Sequence, residues 1–186
     1  YSINEACNLI DKNLQENTYK VNFTGGEPLI QHEAVSEIAK YVRSKGIPTY
    51  LESACFDSKK FLYVLPLIDY VKIEFKTVDS KFVDVKHYPD LIKNTLECLK
   101  ASINTNKTTY IKIVVSSKTE LTGFKELLDK IFQIVLKGKI SGFIIQPTTG
   151  ISEPSLEKLM EFYDSVYPYY NHVRIVPQLH KIINAS

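Results

Sequence analysis

The sequence predicts an α/β fold built around a parallel β-sheet. Six short runs rich in β-branched and aromatic residues alternate with stretches whose apolar residues recur at helical spacing. Strands separated by helices favour parallel pairing, because a parallel connection needs a crossover of about a dozen residues or more. The chain has 186 residues, of which 44% are hydrophobic, and we expect a single domain over residues 1–186.

The first half of the chain contains three of the predicted strands. Ser2 and Glu5 have the spacing of a capping box, ahead of a helix predicted to run to about Asn17. Apolar residues from Ile30 to Val42 fall on one face of a predicted helix that ends at Gly46. The stretch SKKFLYVL predicts a further short helix. The strands are predicted at residues 19–24 (YKVNFT), 49–53 (TYLES) and 70–75 (YVKIEF).

The second half continues the same alternation. Three further strands are predicted at residues 110–115 (YIKIVV), 143–147 (FIIQP) and 173–177 (VRIVP). Three helices are marked by apolar residues on one side, over Leu91–Ile103, Phe124–Val135 and Leu156–Tyr163. Periodicity alone leaves open whether the sheet is open, doubly wound or a sector of a barrel.

Polar residues follow the predicted strands at the points where each strand ends. Ligands of parallel α/β proteins bind at these carboxyl ends, so we expect the residues to converge on one rim. They are Thr24, Gly25, Gly26, Glu27, Pro28, Glu52, Ser53, Glu74, Lys76, Ser116, Ser117, Lys118, Gln146, Thr148, Thr149, Gln178, His180 and Lys181.

The stretch VNFTGGEPLIQ combines a strand end with two glycines and a proline-locked glutamate. Gly25 and Gly26 permit positive φ and a close approach of backbone to a ligand. Pro28 restricts Glu27 to extended geometry and begins the next helix. A carboxylate fixed beside exposed carbonyls suits an ammonium group, although a plain strand-to-helix turn explains the same residues.

Charge and cysteine content exclude several classes of protein. The net charge of +2 is scattered, which favours neither nucleic acid nor an anionic membrane as partner. No apolar run approaches the roughly 18 to 20 residues of a membrane span, and we expect a cytoplasmic protein. Cys7, Cys55 and Cys98 are too few and too widely spaced for a disulfide framework or a zinc ribbon. Cys7 and Cys98 are expected to be buried on helices, whereas Cys55 follows the rim and could be exposed.

Four motifs give the chain a resemblance to the radical SAM superfamily. GGEP, Gly25 to Pro28, is the hallmark of that superfamily, and IDYVKIEFK resembles a strand that commonly ends in Asp-x-Lys, here Glu74 and Lys76. FIIQP resembles a later strand, and VRIVPQLHK is similar to the ending of 7-carboxy-7-deazaguanine synthases. The likeness extends over residues 2–181 and implies a parallel-sheet partial TIM barrel.

The resemblance also implies which residues bind ligands. In the superfamily the GGEP segment holds the methionyl amino group of S-adenosylmethionine. This assigns to the cofactor Gly25, Gly26, Glu27, Pro28, Ser53, Ser117 and Gln146. In the synthases the substrate is 6-carboxy-5,6,7,8-tetrahydropterin; Lys76, His180 and Lys181 are candidates for its carboxylate, and Glu52 or Gln178 for its ring edge. His180 can equally be a surface histidine.

One part of the superfamily pattern is missing. Its members carry a CxxxCxxC loop whose thiolates hold a 4Fe-4S cluster, and no such motif is present in these 186 residues. We therefore expect no metal ligands in this chain. The favoured explanation is an N-terminally truncated fragment without the first strand and cluster loop, which by itself would be inactive; the alternative is a degenerate member that has lost the cluster. A magnesium ion would also bind through the missing loop.

The implied reaction converts the tetrahydropterin into 7-carboxy-7-deazaguanine with loss of ammonia, by hydrogen abstraction that the cofactors supply. Its partners would be the pterin substrate and an electron donor such as flavodoxin or ferredoxin, and a homodimer is possible. Two other interpretations stay open. One is a radical SAM activating enzyme of the pyruvate formate-lyase activase type. The other is a non-catalytic α/β binding domain.

Overall fold

Six parallel strands form one sheet in the computed structural model, which describes residues 1–135, 139–150 and 152–178. Their order in the sheet is their order in the sequence, and every neighbouring pair is parallel. The strands are β1 (Val21–Phe23), β2 (Thr49–Ser53), β3 (Tyr70–Phe75), β4 (Thr108–Val115), β5 (Gly142–Pro147) and β6 (Val173–Ile175). The predicted parallel α/β class is confirmed. Because β1 pairs only with β2 and β6 only with β5 in the described residues, the sheet is an open sector of a barrel.

Helices precede or connect the strands. They are α1 (Ile3–Asn13), α2 (His32–Ser44), α3 (Ser58–Val64), α4 (Tyr88–Asn104), α5 (Leu121–Ile134) and α6 (Leu156–Val166). Right-handed crossovers between sequential neighbours place the connecting helices on one face of the sheet. Within the described ranges, no helix is long and apolar enough to cross a membrane.

The strands separate a helix-covered core from a polar concave face. In β3, Val71, Ile73 and Phe75 are buried in the core, and the alternate residues Lys72 and Glu74 lie on the opposite face. The core is rich in fully buried phenylalanines, which are Phe61, Phe75, Phe124, Phe143 and Phe162. Two-residue alternation therefore directs charged side chains of central strands away from the core.

Several element boundaries differ from the predictions. The Ser2–Glu5 capping box is confirmed, but α1 ends at Asn13 because Leu14 is extended, with φ −67° and ψ 136°. Ile30 lies in a 3₁₀ turn over Pro28–Gln31 that precedes α2, and it is 64% exposed rather than on the buried helical face. The predicted strand 19–24 is confirmed only over its central residues.

The prediction for Cys55 is wrong. Cys55 is fully buried and has a left-handed backbone, with φ +55°. That turn directs the side chain inward to α4, where the Cys98 thiol lies 4.0 Å from the Cys55 carbonyl oxygen. Burial raises the pKa of the Cys55 thiol. Cys98 is buried as predicted, whereas Cys7 on α1 is only half-buried.

Candidate functional site

A cleft of about 600 Å³ opens at the carboxyl ends of the strands, on the concave face of the sheet. Its size is typical of small-molecule sites. It is lined by Thr24, Gly25, Gly26, Glu27, Glu52, Ser53, Ala54, Lys72, Glu74, Lys76, Ser80, Phe82, Lys112, Val114, Gln146, Thr148 and Gln178. Many of the strand-end residues expected to share a rim therefore line one cleft, whereas Pro28, Ser116, Ser117, Lys118 and Thr149 do not line it.

The turn after β1 has the backbone that its two glycines suggested. Gly25 has φ +85° and Gly26 has φ +53°, a region that residues with a Cβ atom rarely adopt. A Cβ atom at either position would meet nothing within 4 Å, so the glycines are required by the backbone and not by packing. The carbonyl oxygens of Gly25 and Gly26 accept no backbone hydrogen bond from the described residues. The turn thus presents open backbone to the cleft.

The Glu27 carboxylate is held by three donors of its own chain. Oε1 accepts from the Leu29 amide at 3.1 Å and from the Ser53 hydroxyl at 2.6 Å, and Oε2 accepts from the Ala54 amide at 2.8 Å. Glu27 thereby ties the turn after β1 to the end of β2. A carboxylate offers about four acceptor positions, so one position remains for a ligand donor.

Ser53 connects the Glu27 carboxylate to Cys55, whose backbone is left-handed. Its hydroxyl donates to Glu27 and accepts from the Cys55 amide at 2.8 Å. The only hydroxyl proton of Ser53 is therefore used inside the protein. Ser53 lies in the cleft as predicted, but its observed hydrogen bonds support the Glu27 carboxylate.

A chain of five charged side chains crosses the floor of the cleft. The Glu52 carboxylate accepts from the ammonium groups of Lys72 at 2.7 Å and Lys112 at 2.6 Å. Lys112 also lies 3.1 Å from Glu74, which forms a second ion pair with Lys76. Burial alone would raise the pKa of Glu52, but the two lysines outweigh this effect and lower it. Glu52 is therefore held as a carboxylate.

Sequence reasoning missed Lys72 and Lys112 because both lie inside strands and not at strand ends. Their signal was nevertheless present. Lys72 and Glu74 alternate with buried apolar residues in β3, and Lys112 lies between two isoleucines in β4, which places these side chains on the face opposite the core. The same reasoning, applied to charged residues within strands, would have found them.

Gln146 and Gln178 line the cleft from the end of β5 and from the segment after β6. The Oε1 atom of Gln178 is buried and has no hydrogen-bond partner among the described residues. Buried polar atoms in proteins are nearly always paired. An unpaired acceptor inside a cleft points to a ligand donor.

The remaining predicted site residues fall outside the cleft lining or outside the described residues. Pro28 starts the 3₁₀ turn and does not line the cleft. Ser117 is exposed; its amide donates to the Ser152 carbonyl at 2.7 Å and its carbonyl accepts from Lys158 at 2.7 Å. His180 and Lys181 lie outside the described residues.

The segment between β3 and α4 contributes an aromatic wall that sequence reasoning also missed. The Phe82 ring lies 5.0 Å from the Lys76 ammonium, measured to the ring centre, and 38% of Phe82 is exposed. Asp79 fixes the segment by accepting from the hydroxyls of Ser116 at 2.7 Å and Thr119 at 3.0 Å. The Tyr88 hydroxyl donates to the Lys76 carbonyl.

No group of three or more His, Cys, Asp or Glu side chains in the described ranges is arranged to hold a metal ion. Cys55 and Cys98 lie in the core beneath the cleft, and Cys7 lies on α1. The three thiols therefore do not fit a common iron–sulfur cluster, which requires thiolates as ligands.

A family model described as "4Fe-4S single cluster domain" matches residues 2–106. The chain is 31% identical over 186 residues to a 7-carboxy-7-deazaguanine synthase of Methanocaldococcus jannaschii, covering 97% of the chain and 73% of that protein. It is 28% identical over 150 residues to a 4-hydroxyphenylacetate decarboxylase activating enzyme of Clostridioides difficile, covering 73% of the chain and 42% of that protein.

The fold of this chain is also found in solved structures of low sequence identity. The structure of a radical SAM methyltransferase from Sphaerobacter thermophilus superposes with a TM-score of 0.67 at 11% identity, over 93% of this chain and 55% of that one. The open parallel sheet with its outer helices is therefore shared with a protein of very different sequence.

Proposed function

Since the chain belongs to the radical SAM superfamily and resembles its 7-carboxy-7-deazaguanine synthases, we propose that it forms the ligand-binding core of such a synthase. The proposed reaction converts 6-carboxy-5,6,7,8-tetrahydropterin into 7-carboxy-7-deazaguanine with loss of ammonia. The observation that carries the proposal is the Gly25–Gly26–Glu27 turn, which opens free carbonyls and one carboxylate acceptor position into a cleft of about 600 Å³.

S-adenosylmethionine fits this turn through its ammonium group. The Gly25 and Gly26 carbonyls have no backbone donor from the described residues, and Glu27 keeps about one acceptor position. An ammonium has three N–H donors and no acceptor, so it matches a site made only of acceptors. When bound, the cofactor supplies the group that abstracts hydrogen; the residues of this chain bind and orient it.

The proposed substrate fits the amide and ammonium groups of the cleft. A pterin ring has N–H donors at its edge, and the buried Oε1 of Gln178 needs such a donor. Gln146 is available on the same wall for the ring or for the adenosyl group. The Lys76 ammonium, 20% exposed beside Phe82, can bind the substrate carboxylate at the rim.

The residues do not fit an iron–sulfur cluster, and no step of the reaction is assigned to cluster ligands of this chain. The same described residues form no arrangement of three or more His, Cys, Asp or Glu side chains for a metal ion, and no residue is assigned to magnesium. An electron donor and a dimer partner also belong to the proposal, with no surface assigned to them.

Binding to the 186-residue chain tests the site. We expect isothermal titration calorimetry to detect binding of S-adenosylmethionine and of 6-carboxypterin. Glu27→Ala should make the binding free energy of S-adenosylmethionine less favourable by about 1.5 to 3 kcal/mol, because a charged acceptor is lost. Glu33→Ala is the matched control, since Glu33 is an exposed glutamate at the start of α2. Unchanged cofactor affinity in Glu27→Ala would assign the carboxylate to structure alone.

Product analysis tests the reaction. We expect the full-length protein, reconstituted anaerobically with iron and sulfide and supplied with S-adenosylmethionine and a reductant, to form 7-carboxy-7-deazaguanine and ammonia in equal amounts from the carboxytetrahydropterin. This conversion is redox-neutral, so the hydrogen taken from the substrate has to be returned, and 5′-deoxyadenosine should stay well below the amount of the deazapurine. A radical SAM activating enzyme is the second candidate, because the chain is also 28% identical to such an enzyme. Formation of 5′-deoxyadenosine only with a protein substrate, together with a glycyl radical signal in electron paramagnetic resonance, would select that candidate. Absence of 7-carboxy-7-deazaguanine and of 5′-deoxyadenosine with either kind of substrate would overturn the proposed function.

A further inference from the structure

The five-residue ion chain on the floor of the cleft carries more positive than negative charge. It runs from Lys72 through Glu52, Lys112 and Glu74 to Lys76. All five side chains are at most 20% exposed, and all five residues line the cleft. The set carries a net charge of +1, from three ammonium groups and two carboxylates.

The register of the sheet fixes this order. Glu52 of β2 is the partner of Lys72 in β3, and Glu74 of β3 is the partner of Lys112 in β4. Side chains at partner positions in neighbouring strands lie within reach of one another. Lys112 therefore bridges two carboxylates that lie on different strands.

Both carboxylates of the ion chain are paired with ammonium groups. Each oxygen of Glu52 and of Glu74 is bound by one ammonium group. An ammonium has three N–H donors, and Lys72 directs only one of them to a carboxylate, with its remaining described contact being the Tyr50 ring at 5.6 Å. The ion chain thus keeps one uncompensated positive charge, and Lys72, at one end of the chain, has two N–H donors that no carboxylate of the chain uses.

Such an arrangement is costly for folding alone. Removing ions from water costs free energy, and apolar side chains of similar size stabilise a buried position at least as well. Lys112, with 8% of its side chain exposed between two carboxylates, serves to fix Glu52 and Glu74. Glu52 in turn fixes Lys72, with its spare donors facing the cleft.

We propose that Lys72 is the anion-binding residue at the inner end of the cleft, that it binds a carboxylate of the bound ligand, and that Glu52 and Lys112 position it. This inference rests on the proposed function. Lys72 would provide a second ligand contact, deeper in the cleft than the contact proposed for Lys76 at the rim. Lys76 follows the end of β3, four residues after Lys72, a separation of about 13 Å between Cα atoms in an extended chain. The two lysines are therefore assigned to different groups of the ligands.

Two ligands of the proposed reaction carry a carboxylate, namely S-adenosylmethionine and the carboxypterin. Titration calorimetry with matched pairs distinguishes them. One pair is 6-carboxypterin with pterin, and the other is S-adenosylmethionine with decarboxylated S-adenosylmethionine. In each pair the second compound lacks only the carboxylate.

Lys72→Met is expected to weaken the carboxylate form of one pair about 10-fold or more and to leave its carboxylate-free partner unchanged, because a charge-assisted hydrogen bond is lost. The affected pair identifies the source of the carboxylate. Lys72→Arg should keep the preference. Lys40→Met is the matched control, since Lys40 forms an ion pair with Glu37 at 2.6 Å on the surface of α2. The double variant Glu52→Gln/Lys72→Met removes both charges and replaces Lys72→Met if that protein does not fold.

Equal weakening of both members of each pair, or no weakening, would overturn the inference and leave the proposed function standing, provided that the wild-type protein binds the cofactor and the pterin. Failure of the wild-type protein to bind any of the four compounds would overturn both.

Discussion

Replacing Ser53 by alanine tests whether the bond network around Glu27 stabilises the protein. Ser53 is 3% exposed. Its hydroxyl donates to the Glu27 carboxylate at 2.6 Å and accepts from the Cys55 amide at 2.8 Å. Alanine removes one hydrogen bond to an ionised acceptor, worth about 1.5 to 3 kcal/mol, and leaves a buried amide without a partner, which costs about 1 to 3 kcal/mol.

Because Glu27 keeps its bonds to the amides of Leu29 and Ala54, the two costs do not add fully. We expect the free energy of unfolding to fall by about 2 to 4 kcal/mol. For a chain of this length each kcal/mol lowers the melting temperature by about 2 to 4 °C, so the midpoint should fall by roughly 4 to 16 °C. Circular dichroism during heating, with urea unfolding for the free energy, measures both.

Two variants and one further measurement make the result specific. Ser53→Thr keeps the hydroxyl and should retain most of the stability. Ser165→Ala removes an exposed hydroxyl that bonds to the Glu161 carbonyl within α6, and it should change stability by no more than about 0.5 kcal/mol. Hydrogen exchange at the Cys55 amide should accelerate in Ser53→Ala. A Ser53→Ala protein as stable as Ser165→Ala, with unchanged exchange at Cys55, would refute the role of Ser53 as a support of Glu27.

Three further outcomes are expected. Gly26→Ala should lower the free energy of unfolding by about 1 to 2 kcal/mol in urea titrations, because φ is +53° while space is open; Gly123→Ala, inside α5 with equally open space, should raise it by about 0.5 to 1 kcal/mol. Burial raises the pKa of Asp69, but the Thr49 amide and the Arg43 guanidinium outweigh it and lower that pKa. The ionised Asp69 carboxylate therefore stabilises the fold fully above its unfolded-state pKa of about 3.9, and this stabilisation is lost as the pH falls through its lower folded-state pKa. The free energy of unfolding of Asp69→Asn should consequently fall less on acidification than that of the wild type. The thiols of Cys55 and Cys98 are fully buried, and burial raises the pKa of Cys55. Both should react with a disulfide reagent only after unfolding. Two fast-reacting thiols in the native protein would contradict their burial.

The strands and the GGEP turn were predictable because their physical causes are local. Runs such as YVKIEF and TYLES become β3 and β2 with the predicted bounds, since alternation of apolar and polar residues needs only a sheet with one buried face. Gly25 and Gly26 adopt positive φ as expected. Besides these glycines, six polar residues at strand ends were predicted to bind ligands and do line the cleft. They are Glu27, Glu52, Ser53, Lys76, Gln146 and Gln178.

Predictions failed where a neighbour in space overrides the local pattern. Cys55 follows the polar rim, but its left-handed backbone turns it into the core against Cys98. Ser117 follows β4 as a rim residue should, but its backbone bonds to Ser152 and Lys158 and it does not line the cleft; its assignment to the cofactor stays a prediction. Neither contact leaves a signal in the residues around it.

By itself the sequence determined the alternation of strands and helices, the glycine turn and the set of polar residues at strand ends, because these follow from propensity, spacing and backbone sterics. Only the tertiary structure decided which of the polar groups meet. The Lys72–Glu52–Lys112 contacts depend on the register of three strands, and they join residues 20 to 60 positions apart in the chain. Two of the three donors of Glu27 come from the end of a different strand. Pairing between distant segments is set by the packing of the whole sheet, since a shift of one residue would turn every one of these side chains to the other face.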